Sequence, residues 1–241
     1  MTVGVDWERA RAAPGALQLK PDVRRPIACE AKMKLLVLGA TGGTGRELLR
    51  QALDQGHDVV AFARNLDKIG NIGHANLQKV RGDVMDPTGV ESAVAGSDAV
   101  LCTIGAGADR TTLREDGTRN IVEAMEKTGV QRLICLSSLG VGDSRGNLPF
   151  FTKYIIVSMF LRHAFADHER QEAIVRRSAL DWTIVRPPHL TDGPQTSTYR
   201  HGFPTTDTRI KGKISRADVA DFMMKQLTNI TYLHQTPGVS Y

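Results

Sequence analysis

Three glycines recur at intervals of three in Gly39-Ala-Thr41-Gly42-Gly43-Thr44-Gly45, with the hydroxyls of Thr41 and Thr44 between them. The run follows an apolar stretch, Lys34–Leu38 (KLLVL). It leads into Thr44–Gln55, where Leu48, Leu49, Ala52 and Leu53 share one helical face. A strand that turns through small residues into a helix lets the backbone approach a phosphate closely. It also aims unpaired N–H groups and the positive end of the helix dipole at that phosphate. The spacing differs from Gly-x-Gly-x-x-Gly, but the mechanics are the same, so the loop points to a dinucleotide pyrophosphate.

The end of the second strand, Asp58–Ala63 (DVVAFA), bears on which dinucleotide. A carboxylate there would accept hydrogen bonds from the ribose hydroxyls. This chain has Ala63-Arg64-Asn65, and no carboxylate before Asp67. A guanidinium pairs with a 2′-phosphate, with Arg46 and Lys68 as candidate helpers, so the expected cofactor is NADP(H). Asp83, after the strand Leu77–Arg81, is read either as a partner of the adenine amino group, with Val84 beneath the ring, or as a loop cap. Thr103, Ile104 and Gly105, at the end of Asp98–Thr103, are expected against the middle of the cofactor. Gly105 suggests close backbone approach.

Ser137 and Ser138 follow the fifth strand, Gln131–Leu136 (QRLICL), at the sheet edge beside the expected nicotinamide. The Ser137 hydroxyl either orients a substrate carbonyl or ring nitrogen, or caps the loop. Pro187 and Pro188 force an extended, rigid segment and are assigned to the cofactor site. They present His189 either to the pocket, as a donor or wall, or only to neighbouring backbone. Ser137 and His189 are the catalytic candidates, and no metal site is expected. A Tyr-x-x-x-Lys acid/base pair is missing, because Tyr154 is followed at i+4 by Ser158. That argues against ketone or alcohol chemistry, where an oxygen must be protonated as hydride arrives. It favours acceptors that need mainly stacking and orientation, such as flavins, quinones or linear tetrapyrroles.

The elements that must position these residues alternate. Six strands, the last Asp181–Val185 (DWTIV), are separated by helices: Thr44–Gln55, a short one from Asp86-Pro87, Thr112–Thr128, and a long one near residues 152–178. The pattern predicts an α/β fold with a doubly wound parallel sheet of Rossmann type. Residues 187–212, rich in Pro, Gly, Thr and Asp, read as loop. Ser215-Arg-Ala-Asp218 reads as a capping box opening a last helix with Val219, Phe222, Met223 and Leu227 inward. Residues 33–241 form the NAD(P)-binding domain, with a small substrate-side lobe expected from roughly residues 143–165 and 187–214. Residues 1–32 hold several prolines and acidic residues and no apolar run, and read as a disordered or loosely docked extension.

A chain of 241 residues with 41% hydrophobic residues fits one domain. The net charge of +5 is scattered, which suits anionic ligands and not a nucleic-acid stripe. Three cysteines give no disulfide framework and suggest a reducing, cytoplasmic compartment, with Cys102 and Cys135 as buried small hydrophobes. The most apolar run, Tyr154–Leu161, falls far short of the ~20 residues that span a bilayer. The expected partner is a small planar acceptor, with no nucleic acid or membrane, on a monomer or weak homodimer.

Together the glycine loop, Gly82-Asp83-Val84, Asp116-Gly-Thr-Arg-Asn-Ile121 and Arg186-Pro-Pro-His189 resemble the atypical short-chain dehydrogenase/reductase group. Within it the chain is most similar to the biliverdin-IXβ reductase/flavin reductase family, from Met33 to Tyr241. The likeness takes in Asp167-His168…Arg176-Arg-Ser178 and Ile214-Ser215…Phe222-Met223. It implies NADPH-dependent reduction of flavins and, in some members, biliverdins, and it puts Ser137 and His189 where that family has an active-site serine and histidine. The segment 143–165 is longer than in biliverdin reductases, which leaves the acceptor open. Two readings follow. One is an NADPH-dependent reductase passing hydride to a planar conjugated acceptor (flavin, biliverdin-like or quinone). The other is a non-catalytic NAD(P) sensor resembling NmrA-like regulators. The missing pair disfavours an isomerase or epimerase, and fold alone does not separate the first two.

Overall fold

The computed structural model describes residues 31–105, 112–147, 162–204, 207 and 209–241. Six strands form one parallel sheet: β1 (Lys34–Leu38), β2 (Asp58–Ala63), β3 (Leu77–Arg81), β4 (Ala99–Cys102), β5 (Arg132–Leu136) and β6 (Asp181–Val185). Their order is β3-β2-β1-β4-β5-β6. Continuous apolar runs such as LLVL suit strands covered on both faces, and β4 is buried throughout. β3 (LQKVR) is the more polar edge. The doubly wound Rossmann sheet expected from the alternation is present. The chain reverses direction between β1 and β4, which opens a crevice over the carboxyl ends of those strands.

The helices α1 (Gly43–Asp54) and α5 (Arg216–Lys225) pack against each other on one face. On the other, α3 (Leu113–Thr128) lies between α2 (Pro87–Val94) and α4 (Arg162–Arg177). Strand alternation sends Leu35 and Val37 into the α1/α5 core and Leu36 and Leu38 into the opposite one. Local signals set the helix ends. The Asp86 carboxylate accepts the Thr88 N–H ahead of α2, with Pro87 in the first turn. Gly129 ends α3 in the left-handed region at φ 79°.

Two expectations change, and a third lies partly outside the described residues. The long helix near 152–178 is seen as α4; residues 148–161, with Tyr154 and Ser158, lie outside the described residues, as do residues 1–30 with Cys29. The stretch 187–212 is not simply loop. It holds β7 (His189–Thr191), parallel to β9 (Lys213–Ser215), and β8 (Arg200–His201), antiparallel to β10 (Val239–Ser240). Ladders of two or three residues with distant partners leave no period to read. The capping box is only half made. Ser215 Oγ accepts the Asp218 N–H at 3.0 Å, but the Asp218 carboxylate turns away. It takes the N–H groups of Thr196 and Ser197 and the hydroxyl of Tyr241 instead.

Cys102 and Cys135 are register partners on β4 and β5, both buried and both free thiols. Among the described residues no helix is long and apolar enough to cross a membrane.

Candidate dinucleotide and acceptor site

Glycine is required at the turn itself. Gly39 sits at φ +82°, and a Cβ there would lie 2.5 Å from the Thr103 carbonyl oxygen. A Cβ on Gly45 would strike the Gly39 carbonyl. The Gly42 N–H closes the turn onto Gly39 O at 3.0 Å. Thr103 fixes it from the next strand, donating both its N–H (2.8 Å) and its hydroxyl (3.0 Å) to Leu38 O. Behind the turn, α1 begins with no side-chain cap and no acidic residue in its first turn. Its leading N–H groups and dipole are therefore left for an anion.

Two adjoining hollows lie over this turn. The larger, about 580 Å³, runs from the glycine loop and Thr103-Ile104-Gly105 to Ser137, Pro187 and Pro188. The smaller, about 150 Å³, lies among Arg64, Lys68, Asp83 and Val84. They share Gly39, Thr41, Lys68, Ile104 and Gly105, so they form one cleft. Gly42, Gly43, Thr44 and Gly45 line its larger part, and every residue expected to touch the cofactor borders it, the candidate helper Arg46 excepted.

At the smaller end Arg64 is exposed and makes no hydrogen bond or ion pair to another described residue. Lys68 lines both hollows. Arg46 is a brace rather than a ligand-facing cation, because its Nη2 donates to Lys68 O at 2.7 Å. Asp83 caps its loop, accepting the Met85 N–H at 3.1 Å, while still bordering the hollow. Val84 packs against α3 where Gly117 leaves room: a Cβ there would lie 2.9 Å from Val84 Cγ2 and 3.2 Å from Ile104 Cδ1. The Val84 carbonyl accepts from Asn120 Nδ2 at 2.9 Å.

At the larger end the Ser137 hydroxyl, 5% exposed, stands 3.4 Å from Nδ1 of His168, which comes from α4. Burial, with help from the Arg114 charge, pushes the His168 imidazole down to about 3, so it is neutral at physiological pH. His189 does not join them. Alternation along β7 turns Leu190 to the cleft and leaves the His189 side chain exposed, with its N–H on Gly212 O at 3.3 Å. The histidine beside Ser137 is thus His168, not His189.

Sequence reading also passed over two cations on the cleft wall. Arg114, 7% exposed, begins α3 and pairs with Asp167 at 3.3 Å. Arg216 lies across Gly43 and pairs with Asp192 at 2.5 Å. Arg216 directly follows Ile214-Ser215, the one signal that pointed to it. Arg186, ahead of Pro187-Pro188, is fully buried and points away from the cleft into Glu172 and Asp143.

Among known proteins, an uncharacterised chloroplastic protein of Arabidopsis thaliana is 32% identical over 203 residues, spanning 80% of this chain and 71% of that one. ChuY, an anaerobillin reductase from Escherichia coli O157:H7, matches with a TM-score of 0.70 at 27% identity, over 86% of this chain and 96% of its own. A short-chain dehydrogenase/reductase from Veillonella parvula, solved in complex with NADP, shares the fold with a TM-score of 0.74 at 21% identity, over 88% and 95% of the two chains. A family model for NAD(P)H-binding proteins matches residues 39–230, the glycine loop through α5. By that match and by the cradle its glycines build, the chain belongs to the NAD(P)H-binding family.

Proposed function

We propose that the protein is an NADPH-dependent reductase that delivers hydride to a planar conjugated acceptor: a flavin, a biliverdin-like tetrapyrrole or a quinone. When bound, NADPH supplies a hydride, two electrons at once. The glycine turn and the start of α1 hold the pyrophosphate, with Arg216 beside them, and Arg64 and Lys68 receive the 2′-phosphate. Asp83 and Val84 border the adenine, while Pro187 and Pro188 wall the nicotinamide end.

One observation carries the reading: at the larger end of the cleft the buried Ser137 hydroxyl meets only an imidazole, His168 Nδ1 at 3.4 Å, among the described residues. At pH 7 His168 has no extra proton to give as hydride arrives, so the Ser137–His168 pair orients by hydrogen bonding and does not act as an acid. With the Tyr/Lys pair missing as well, the site suits an acceptor whose conjugated ring takes the electron pair and collects its proton from water. The likeness to ChuY, a reductase, supports this direction.

The test mixes the protein and NADPH with riboflavin, FMN, biliverdin or a quinone and follows the nicotinamide absorbance. Steady oxidation is expected. Ser137→Ala and His168→Ala should each lower kcat by about 10-fold or more while sparing NADPH affinity. Tight NADPH binding with no oxidation across these acceptors would overturn the reductase in favour of an NmrA-like sensor. The sparse cysteines support a cytoplasmic or other reducing compartment, which cell fractionation checks; the Arabidopsis relative is chloroplastic.

A further inference from the structure

We infer that the Arg114 guanidinium is an anion anchor for the acceptor, so the substrate class is a planar conjugated molecule bearing a carboxylate. The inference rests on the reductase reading for where the acceptor lies, at the Ser137–His168 end of the cleft.

Arg114 is a charge held out of water without enough partners. Its side chain is 8% exposed, yet it lines the larger hollow. Its Nη2 faces Gly105, where an added Cβ would lie 3.3 Å away. A guanidinium offers five N–H donors in a planar fork. Here Nη1 makes a long bond to Asp167 Oδ2 at 3.3 Å, and the buried Nε has no partner among the described residues. Asp167 is a weak counter-charge because it is shared. It also accepts the N–H groups of Arg114 and Glu115 at the start of α3 and lies 3.7 Å from Arg170. The buried Glu172 is taken by Arg186 and Arg176. A buried cation with an orphaned donor is costly unless a ligand completes it.

The dinucleotide does not need this cation. Its pyrophosphate has the α1 N-terminus and Arg216, and its 2′-phosphate has Arg64 and Lys68. Arg114 instead sits with His168, whose imidazole its charge influences. A planar fork with free donors beside a site for a flat ring matches a carboxylate, which takes two parallel N–H bonds. Among the acceptors considered above, this favours an acid-bearing tetrapyrrole or aromatic over a neutral quinone.

The test is binding to the protein saturated with NADP⁺, so that it needs no turnover. Two matched probe pairs are titrated by absorbance: biliverdin with its dimethyl ester, and anthraquinone-2-carboxylate with its methyl ester. Wild type should bind at least one acid about 10- to 100-fold more tightly than its ester, the span of a charge-assisted bond pair. Arg114→Gln should erase the difference by weakening the acid alone, with NADP⁺ affinity unchanged, and Arg114→Lys should keep part of it.

Equal binding of acid and ester in both pairs, or no binding of either acid, overturns the anchor. So does a loss of NADP⁺ affinity in Arg114→Gln, which would assign the arginine to the dinucleotide. If Arg114→Gln does not fold, the wild-type and lysine ratios decide. Acid binding through Arg114 without any NADPH oxidation would overturn the reductase and leave the anchor standing. Reduction of neutral quinones with no preference for acid would do the reverse.

Discussion

The Glu172 carboxylate receives the Arg186 guanidinium through two parallel hydrogen bonds, 2.8 Å at Nε and 2.6 Å at Nη2, with both side chains out of water. A third bond, from Nη1, reaches Asp143 at 2.6 Å. The end of β6, the helix α4 and the loop after β5 are thereby tied at one point, directly behind Pro187 and Pro188. Arg186→Met leaves the buried Glu172 carboxylate with only Arg176, at 3.1 Å, and should cost about 3 kcal/mol of stability. Urea unfolding followed by circular dichroism measures it, and an unchanged midpoint would refute the role.

Arg64 should discriminate between the two dinucleotides. Arg64→Ala should weaken NADPH by about 10-fold, one charge-assisted contact at an exposed site, and leave NADH within about 2-fold. Added salt should shrink the wild-type preference, because Arg64 is open to solvent. Titration of both dinucleotides reads this directly, and a constant NADPH/NADH affinity ratio sinks it.

Arg216 should behave differently, because every dinucleotide has a pyrophosphate. Arg216→Ala should weaken NADPH and NADH alike, by about 10-fold. Asp192→Asn should change either affinity by no more than about 3-fold, since Asp192 is 88% exposed and its pair is screened. A loss confined to NADPH in Arg216→Ala would move that arginine to the adenosine end.

His168 sets an acid limit on the fold. Its pKa in the folded state is about 3, against 6.5 for the free side chain. Between those values the unfolded chain binds a proton that the native state refuses, so stability falls as pH drops from about 6.5 toward 3. His168→Gln should flatten the stability–pH curve across that window. Equal slopes for wild type and variant, from denaturant melts at stepped pH, would show that the imidazole is not held neutral.

The sheet was legible because five of its strands carry apolar runs between polar turns, while β3 (LQKVR) is the polar edge. The glycine loop was legible because its small residues sit where a strand must become a helix. Arg64 was singled out by the absence of a carboxylate after β2, and it borders the cleft. His168 could not be chosen over His189. Both are histidines near polar neighbours, and only the packing of α4 on α3, together with the alternation of β7, brings one to Ser137 and turns the other to solvent. Arg114 and Arg216 open helices, where a basic residue reads as ordinary surface until the crevice over the sheet is seen to hold them. The carboxylate of Asp218 looked like half of a capping box, yet Tyr241 and the 196–197 backbone claim it.

Gly117 lies inside α3, where alanine would strengthen the helix by about 1 kcal/mol. Its missing methyl is what admits Val84 and Ile104 to the floor of the cleft. Gly117→Ala should thus push Val84 and Ile104 toward the cleft and weaken every adenine nucleotide, at a packing cost that offsets the gain in helix propensity. The two effects separate in a melting curve taken with and without NADP⁺, where the rise in Tm on adding ligand should shrink. The room for the cofactor is bought with helix propensity, and one methyl on a residue that does not itself face the cleft is enough to close it from behind.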